Sequence, residues 1–284
     1  MPRSEPVEPN VPLSHLQPEE KAARASSFGG VASHYDRYRP GPPAAAVDWL
    51  LPSHPARVVD LGAGTGALSR MLVDRCQEVV AVEPDARMRA VLGAEVPGVQ
   101  VVDGRGESIP LPDGCMDGVL ASSSWHWVDA VPALHEVGRV LVPGGVLGAV
   151  WSGPDPEGAF VVQARALLSG PGPGEPDEAG AGRGGALTRI MGDARRPASI
   201  LEIPPGVPFD QPEHEVFQWE MALTADDLIG LLGTFSWIIT RPEESRQDVY
   251  AEARRLLRDM LGVVGEVTVD VEFRAEAWRA ARHR

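Results

Sequence analysis

Apolar residues gather in short runs from Arg57 onward, and amphipathic stretches separate them. RVVDL reads as a strand, and GALSRMLVDRC as a helix with Leu68, Met71 and Leu72 on one face. EVVAVE, VQVVDG, DGVLAS and GVLGAVW read as four further strands. DARMRAVLGA supplies a second helix. PALHEVGRVLVPGG sets Leu134, Val137 and Leu141 at helical spacing and closes on Pro143-Gly144-Gly145. Strands without a polar face, alternating with helices, predict a parallel sheet covered on both sides. Ligands in such sheets bind outside the carboxyl ends of the strands.

The flanks read differently. Residues 1–17 hold four prolines and no hydrophobic period, which predicts a disordered arm. Residues 18–55 predict a helical cover: EEKAARASSF has helix-forming composition, and a second helix opens at Pro43 and stops at Pro52. After the core at 56–152, residues 153–211 are expected to form a flexible insertion. Its glycine- and proline-rich run LSGPGPGEPDEAGAGRGG is either a plain loop or part of a mobile lid. In 212–284, HEVFQWEMAL alternates as a strand with Val216, Trp219 and Met221 as its larger apolar residues. A helix follows with Val249, Ala253, Leu256 and Met260 on one face, and EVTVDVEFRAEAW closes as a strand. The expected fold is α/β and doubly wound, with a mostly parallel seven-stranded sheet.

Composition narrows the function. The 284 residues are 43% hydrophobic and 23% charged, as in an ordinary globular chain, with a formal net charge of −14. Such a surface repels phosphate backbones, so nucleic acid is not expected as a partner. The nearest thing to a basic patch, DARRPAS, is short. Cys76 and Cys115 lack a metal-ligand spacing and read as reduced thiols, so no metal is expected. The polar N-terminus has no signal-like apolar core, and no run approaches membrane-span length. The expectation is a soluble cytoplasmic protein, monomeric or a homodimer, acting on a small molecule.

The segment VVDLGAGTGALS carries the chemistry. Gly62, Gly64 and Gly66 follow the first strand, where residues without side chains let a ligand approach the backbone. Two cofactor classes compete. Gly62-x-Gly64-x-x-Ala67 fits a dinucleotide loop, and Glu83 lies 21 residues after Gly62, where a ribose-binding acid belongs. Asp60 argues the other way. A carboxylate at the strand end repels a pyrophosphate and suits a cofactor carrying an ammonium and a sulfonium.

Five stretches, FGGVASHYDRYRP, VVDLGAGTGALS, VVAVEPDARM, GRGESIPLPDGCMDGVLASSSWHWVD and EVGRVLVPGGVLGAVW, together resemble the class I S-adenosylmethionine-dependent methyltransferases. The resemblance spans roughly residues 28 to 284. It is nearest to a small-molecule branch similar to trans-aconitate methyltransferase, whose tail GTFSWIITRPEESR and FRAEAWRAAR also resemble. The resemblance implies S-adenosylmethionine as cofactor. Asp60, Gly62, Ala63 and Gly64 would hold its amino-acid end, and Glu83 with Pro84 would hold the ribose. Met88, Gly106 and Glu107 would lie along the adenine, and Ser122 and Ser123 would line the methionine part. Tyr35 and Arg39 would cover that end. His126 is the candidate general base, or else a residue that orients the loop. Trp125, Trp127, Trp151 and Trp237 are candidate substrate walls, or else core.

Two departures stand out. Relatives place an acid where Arg105 stands, and arginine cannot accept from an adenine amine. Relatives also carry asparagine and arginine after the tryptophan, where this chain has Ser152 and no arginine. Three rival readings remain: an NAD(P)-dependent oxidoreductase, a catalytically silent cofactor-binding protein, and a nucleic-acid or protein methyltransferase. The first wants a catalytic lysine, and the only lysine is Lys21, outside the core.

Overall fold

The computed structural model describes residues 27–51, 56–168 and 200–284. The expected arm, the helix starting near residue 18, Pro52 and the glycine-rich run beyond Leu168 lie outside these residues. Before the sheet come a 3-10 turn Ser27–Val31 and two short helices, α1 (Ala32–Tyr38) and α2 (Ala44–Leu50), with Pro43 as N-cap of the latter. Alternation then begins: β1 (Arg57–Leu61), α3 (Ser69–Leu72), β2 (Glu78–Val82), α4 (Ala86–Glu95), β3 (Gln100–Val102), β4 (Met116–Ser122), α5 (Ala130–Val140) and β5 (Leu141–Pro154). Next are α6 (Ala159–Leu168), β6 (Glu213–Thr224), α7 (Ala225–Leu232), α8 (Ser236–Ile239), α9 (Glu243–Leu261) and β7 (Thr268–Ala281).

The sheet has seven strands in the order β3-β2-β1-β4-β5-β7-β6. Pairing is parallel from β3 through β5. β1 is central: Val59 faces Val80 on one side and Val119 on the other, and all three are fully buried. The order reverses between β1 and β4. There the chain leaves β1 for a neighbour on one side and returns to β4 on the other, opening a crevice at the carboxyl ends.

Pro143-Gly144-Gly145 does not close the preceding helix. α5 ends at Val140, and Leu141 is already the first residue of β5, paired with Met116. Pairing resumes at Gly118 with Val146, so the Pro-Gly-Gly run bulges from the pairing with β4, while Gly144 and Gly145 exchange backbone hydrogen bonds with Arg282. Leu141 is therefore buried by strand pairing and not by a helical face.

The chain divides into two compact units, and the divisions fall within β5, β6 and β7. One unit comprises residues up to Ser152, Ser199–Phe217 and Ala275–Arg284. Its core joins Val59, Val119, Leu134, Val137, Leu147 and Trp151, among others. The other comprises Gly153–Ala198 and Gln218–Arg274 and has its own apolar cluster, with Phe160, Leu223, Leu232 and Phe273. Within it, part of the expected insertion is helical. The Glu272 carboxylate accepts from the Ala159 amide at 2.9 Å, satisfying the first turn of α6. A capping box at Thr224 and Asp227 starts α7. On α9, Val249, Ala253 and Leu257 are buried at i, i+4 spacing, and Leu256 is only half-buried. Among the described residues no helix is long and apolar enough to cross a membrane.

Candidate functional site

The site is built where β1 and β2 end level with each other. Leu61 pairs with Val82, and the amides of Gly62 and Ala63 both donate to the Val82 carbonyl, at 2.8 and 3.2 Å. The glycine loop is thereby anchored to the neighbouring strand. Gly62 has φ +66°, and a Cβ there would lie 2.6 Å from Ser124 Cβ. Gly64 has φ +58°, yet a Cβ there would meet nothing within 4 Å. The first glycine is needed for close packing and the second for a left-handed turn facing open space.

Asp60 is the polar exception in a buried strand, with 1% of its surface exposed. Ser69 donates its hydroxyl to Asp60 Oδ2 at 2.7 Å, while Oδ1 is buried and has no partner among the described residues. Burial pushes the carboxyl up to about 7; the Ser69 contacts pull against this, and the nearby Glu83 adds to it. Thr65 Oγ1, in the same loop, is also buried and has no partner among the described residues.

Glu83 directly follows β2. Its Oε2 accepts from the Gly64 amide and its Oε1 from the Asp85 amide, both at 2.9 Å. Burial raises its pKa, and the two amides oppose the rise. The carboxylate staples the glycine loop to the start of α4, and each oxygen keeps a second lone pair for a ligand. Asp85 caps α4, accepting from the Arg87 amide at 2.8 Å, and Pro84 beside it is exposed. Arg89 joins the Glu83 carbonyl to the Asp103 carboxylate, at 2.7 and 3.0 Å, tying the ends of β2 and β3.

Met88 is buried on α4, with 4% exposed. Gly106 is buried in the loop after β3, and a Cβ there would lie 2.6 Å from Val128 Cγ1. Glu107 accepts from the Asp129 amide at 2.6 Å, so it serves the N-terminus of α5. Arg105 exchanges backbone hydrogen bonds with Ser108, and its side chain is exposed. Further along the loop, Arg139 holds the Ile109 and Leu111 carbonyls and pairs with Glu136 and Asp113. A single α5 arginine thus fixes the segment that carries Gly106.

At the end of β4, Ser122 pairs with Val150, and Ser123 turns the chain at φ +51°. Ser124 donates its hydroxyl to the Leu61 carbonyl at 2.6 Å, joining the ends of β4 and β1. Trp125 is buried in the core and Trp127 half-buried. Trp151, with 9% exposed, donates its indole N–H to His126 Nδ1 at 3.0 Å. An indole nitrogen only donates, so Nδ1 is the unprotonated nitrogen and the neutral ring carries its hydrogen on Nε2. That tautomer is a donor, which counts against His126 as a general base. The side chain of Trp237 lies outside the described residues.

The N-terminal cover reaches this end of the sheet. Phe28 meets Trp127 and Tyr35 edge-on, with centroids 5.7 and 5.6 Å apart. Gly29 sits against the Asp85 and Arg87 side chains. Asp36 pairs with Arg70 at 2.5 Å, joining α1 to α3, and Arg39 donates to the Ser152 carbonyl at 3.3 Å. Sequence reasoning missed Phe28, Thr65, Ser69 and Ser124. Only Ser69 carried a signal, as a polar residue on the inward side of the helix after the loop.

A switch point between β1 and β4, a glycine loop stapled by a buried acid, and a second buried acid with an unsatisfied oxygen define a doubly wound α/β cofactor-binding protein. Residues 59–149 match the family model described as a methyltransferase domain. An uncharacterized methyltransferase of Mycobacterium tuberculosis is 38% identical over 231 residues, covering 81% of this chain and 85% of that protein. A demethylmenaquinone methyltransferase of Thermus thermophilus is 38% identical over 122 residues, 40% of this chain and 56% of that protein. A solved structure from Anaeromyxobacter dehalogenans, itself assigned as a type II methyltransferase, superposes with a TM-score of 0.58 at 25% identity, covering 86% of this chain and 98% of that one. The chain belongs to the class I S-adenosylmethionine-dependent methyltransferases, and S-adenosylmethionine is its cofactor. The residues present fit that group: the unpartnered Asp60 oxygen and Thr65 hydroxyl call for a polar ligand, and the space at Gly64 admits one.

Proposed function

We propose that the protein methylates an oxygen of a small molecule that arrives already ionised, a carboxylate. The observation that carries this reading is the hydrogen bond from Trp151 to His126 Nδ1. It leaves the neutral histidine nearest the β4 end with its hydrogen on Nε2 and no ring nitrogen able to remove a proton. A carboxylate needs no base at pH 7. Arg39, held on the Ser152 carbonyl, adds a positive charge at the same strand end. A malonyl-[acyl-carrier protein] O-methyltransferase of Pectobacterium atrosepticum is 33% identical over 131 residues, 45% of this chain and 52% of that protein, which supports an oxygen acceptor.

In this reading Asp60, Gly62, Ala63 and Gly64 hold the amino-acid end of the cofactor, and Glu83 takes the ribose hydroxyls. Met88 and the Gly106 amide flank the adenine, and Ser122 and Ser123 line the methionine chain. Glu107 and Trp125 act from behind, the first on α5 and the second in the core. The bound cofactor supplies a methyl group on a positively charged sulfur. What the chain contributes is alignment of the incoming oxygen and exclusion of water by the cover, whose Phe28 and Tyr35 close toward Trp127 after β4.

The test is a mass-spectrometric screen of small carboxylic acids, phenols and amines with S-adenosylmethionine. At least one acid should yield a methyl ester that mild alkali cleaves. His126→Gln should keep activity within about tenfold, since losing a true base costs roughly a hundredfold or more. Methylation confined to phenols or amines, or abolished in His126→Gln, overturns the proposal.

A further inference from the structure

We infer that Ser69 is a positioning residue for the cofactor's amino-acid end: its hydroxyl engages Asp60 Oδ2 and leaves the buried Oδ1 as the oxygen that a cationic group would meet. The inference rests on the reading that Asp60 meets that end of the cofactor.

The geometry is specific. Ser69 and Asp60 have 0% and 1% of their surfaces exposed, so water competes with neither. Ser69 heads α3 nine residues after Asp60, on the helix that the glycine loop delivers. Oδ1 has no partner among the described residues. Burial makes the Asp60 charge costly. Glu83, beyond β2, is a like charge. On α3, Arg70 is engaged by Asp36 and by the Thr65 carbonyl. The turn after β4 brings Ser122, Ser123 and Ser124, which carry no charge. Ser69 is thus the side chain that favours the ionised form, supported by its own backbone amide, against burial that pushes the group up to about 7. Binding a ligand ammonium draws Asp60 into its ionised form, and a proton leaves to solvent. Affinity for a ligand bearing the ammonium must therefore rise as pH climbs through the region of 7.

Two probes separate the parts of the claim. S-adenosylhomocysteine carries the ammonium; 5′-methylthioadenosine keeps the adenosine and lacks the amino acid. Calorimetric dissociation constants are measured for both between pH 5.5 and 8.5. In the wild type, S-adenosylhomocysteine should tighten across this range relative to 5′-methylthioadenosine, which also carries any contribution from Glu83. Ser69→Ala should weaken S-adenosylhomocysteine roughly three- to tenfold at pH 7, move the midpoint upward, and recover toward wild type at the alkaline end. Ser69→Thr should restore the wild-type profile. Binding of 5′-methylthioadenosine should be unchanged in each variant, which also reports on folding. A pH-independent loss in Ser69→Ala, a loss of both ligands, or no loss overturns the inference. Asp60→Asn tests the underlying reading: if it leaves S-adenosylhomocysteine binding intact, Asp60 does not meet the amino-acid end. If only Asp60→Asn has an effect, that reading stands and the role of Ser69 falls.

Discussion

Glu83 illustrates how one side chain can join a structural duty to the ribose contact proposed for it. Its two oxygens each accept a backbone amide, from Gly64 and Asp85, before any ribose is present. Glu83→Ala removes the proposed ribose acceptor and releases the loop from α4 as well. Calorimetry should show about ten- to a hundredfold weaker binding, some 1.5–3 kcal/mol. Because the ribose is common to both, S-adenosylhomocysteine and 5′-methylthioadenosine should weaken alike. An unchanged dissociation constant in the folded variant would assign the ribose to another residue. Glu83 was visible in the sequence because its distance from the glycines is set within one strand-loop-helix-strand passage. Its grip on Gly64 was not, since that contact depends on strand pairing.

At the scale of elements, the N-terminal cover meets the sheet end through Phe28 on Trp127, Gly29 against the start of α4, the Asp36–Arg70 pair and Arg39 on the Ser152 carbonyl. The ion pair is partly exposed and so contributes little by itself. Edge-on aromatic contacts add about 1 kcal/mol each. Opening of a cover of this kind admits the ligand, and its closing excludes water. Hydrogen exchange in residues 27–39 should therefore slow when S-adenosylhomocysteine is added. Deleting residues 1–40 should cost far more affinity than deleting 1–16. If both truncations bind and turn over like the full chain, Tyr35, Arg39 and the cover have no part in the site.

For the whole molecule, the consequence of this site is a stability cost that depends on pH. Asp60 ionises near 3.8 when exposed and near about 7 in the folded protein. Between these values the folded state holds a proton that the unfolded state lacks, so stability falls as pH rises through the window. At about 1.4 kcal/mol per unit, the loss is at most of the order of 4 kcal/mol. Scanning calorimetry on ligand-free protein should show Asp60→Asn melting above the wild type at pH 8, with the difference vanishing near pH 4. Saturating S-adenosylhomocysteine should raise the melting temperature of the wild type much more than that of the variant. A variant less stable than wild type at pH 8 would show that the buried charge is compensated within the protein.

The sequence alone determined the strand-helix alternation, the glycine loop with Asp60 before it, and Glu83 at the next strand end. These are near-neighbour patterns: side-chain period, loop composition and a short spacing specify them without knowledge of the rest of the chain. It misplaced Pro143-Gly144-Gly145, because a bulge inside a strand and a turn after a helix have the same composition. What the tertiary structure alone decided is which polar atoms meet across the sheet. Ser124 reaches the Leu61 carbonyl 63 positions away, Trp151 reaches His126 across 25, and the cover lays Phe28 on Trp127. Each contact depends on the order in which parallel strands assemble, and no local pattern encodes that order. The tautomer of His126 follows from that order, whereas the Ser69 contact that leaves Asp60 Oδ1 unpartnered among the described residues spans only nine positions of chain.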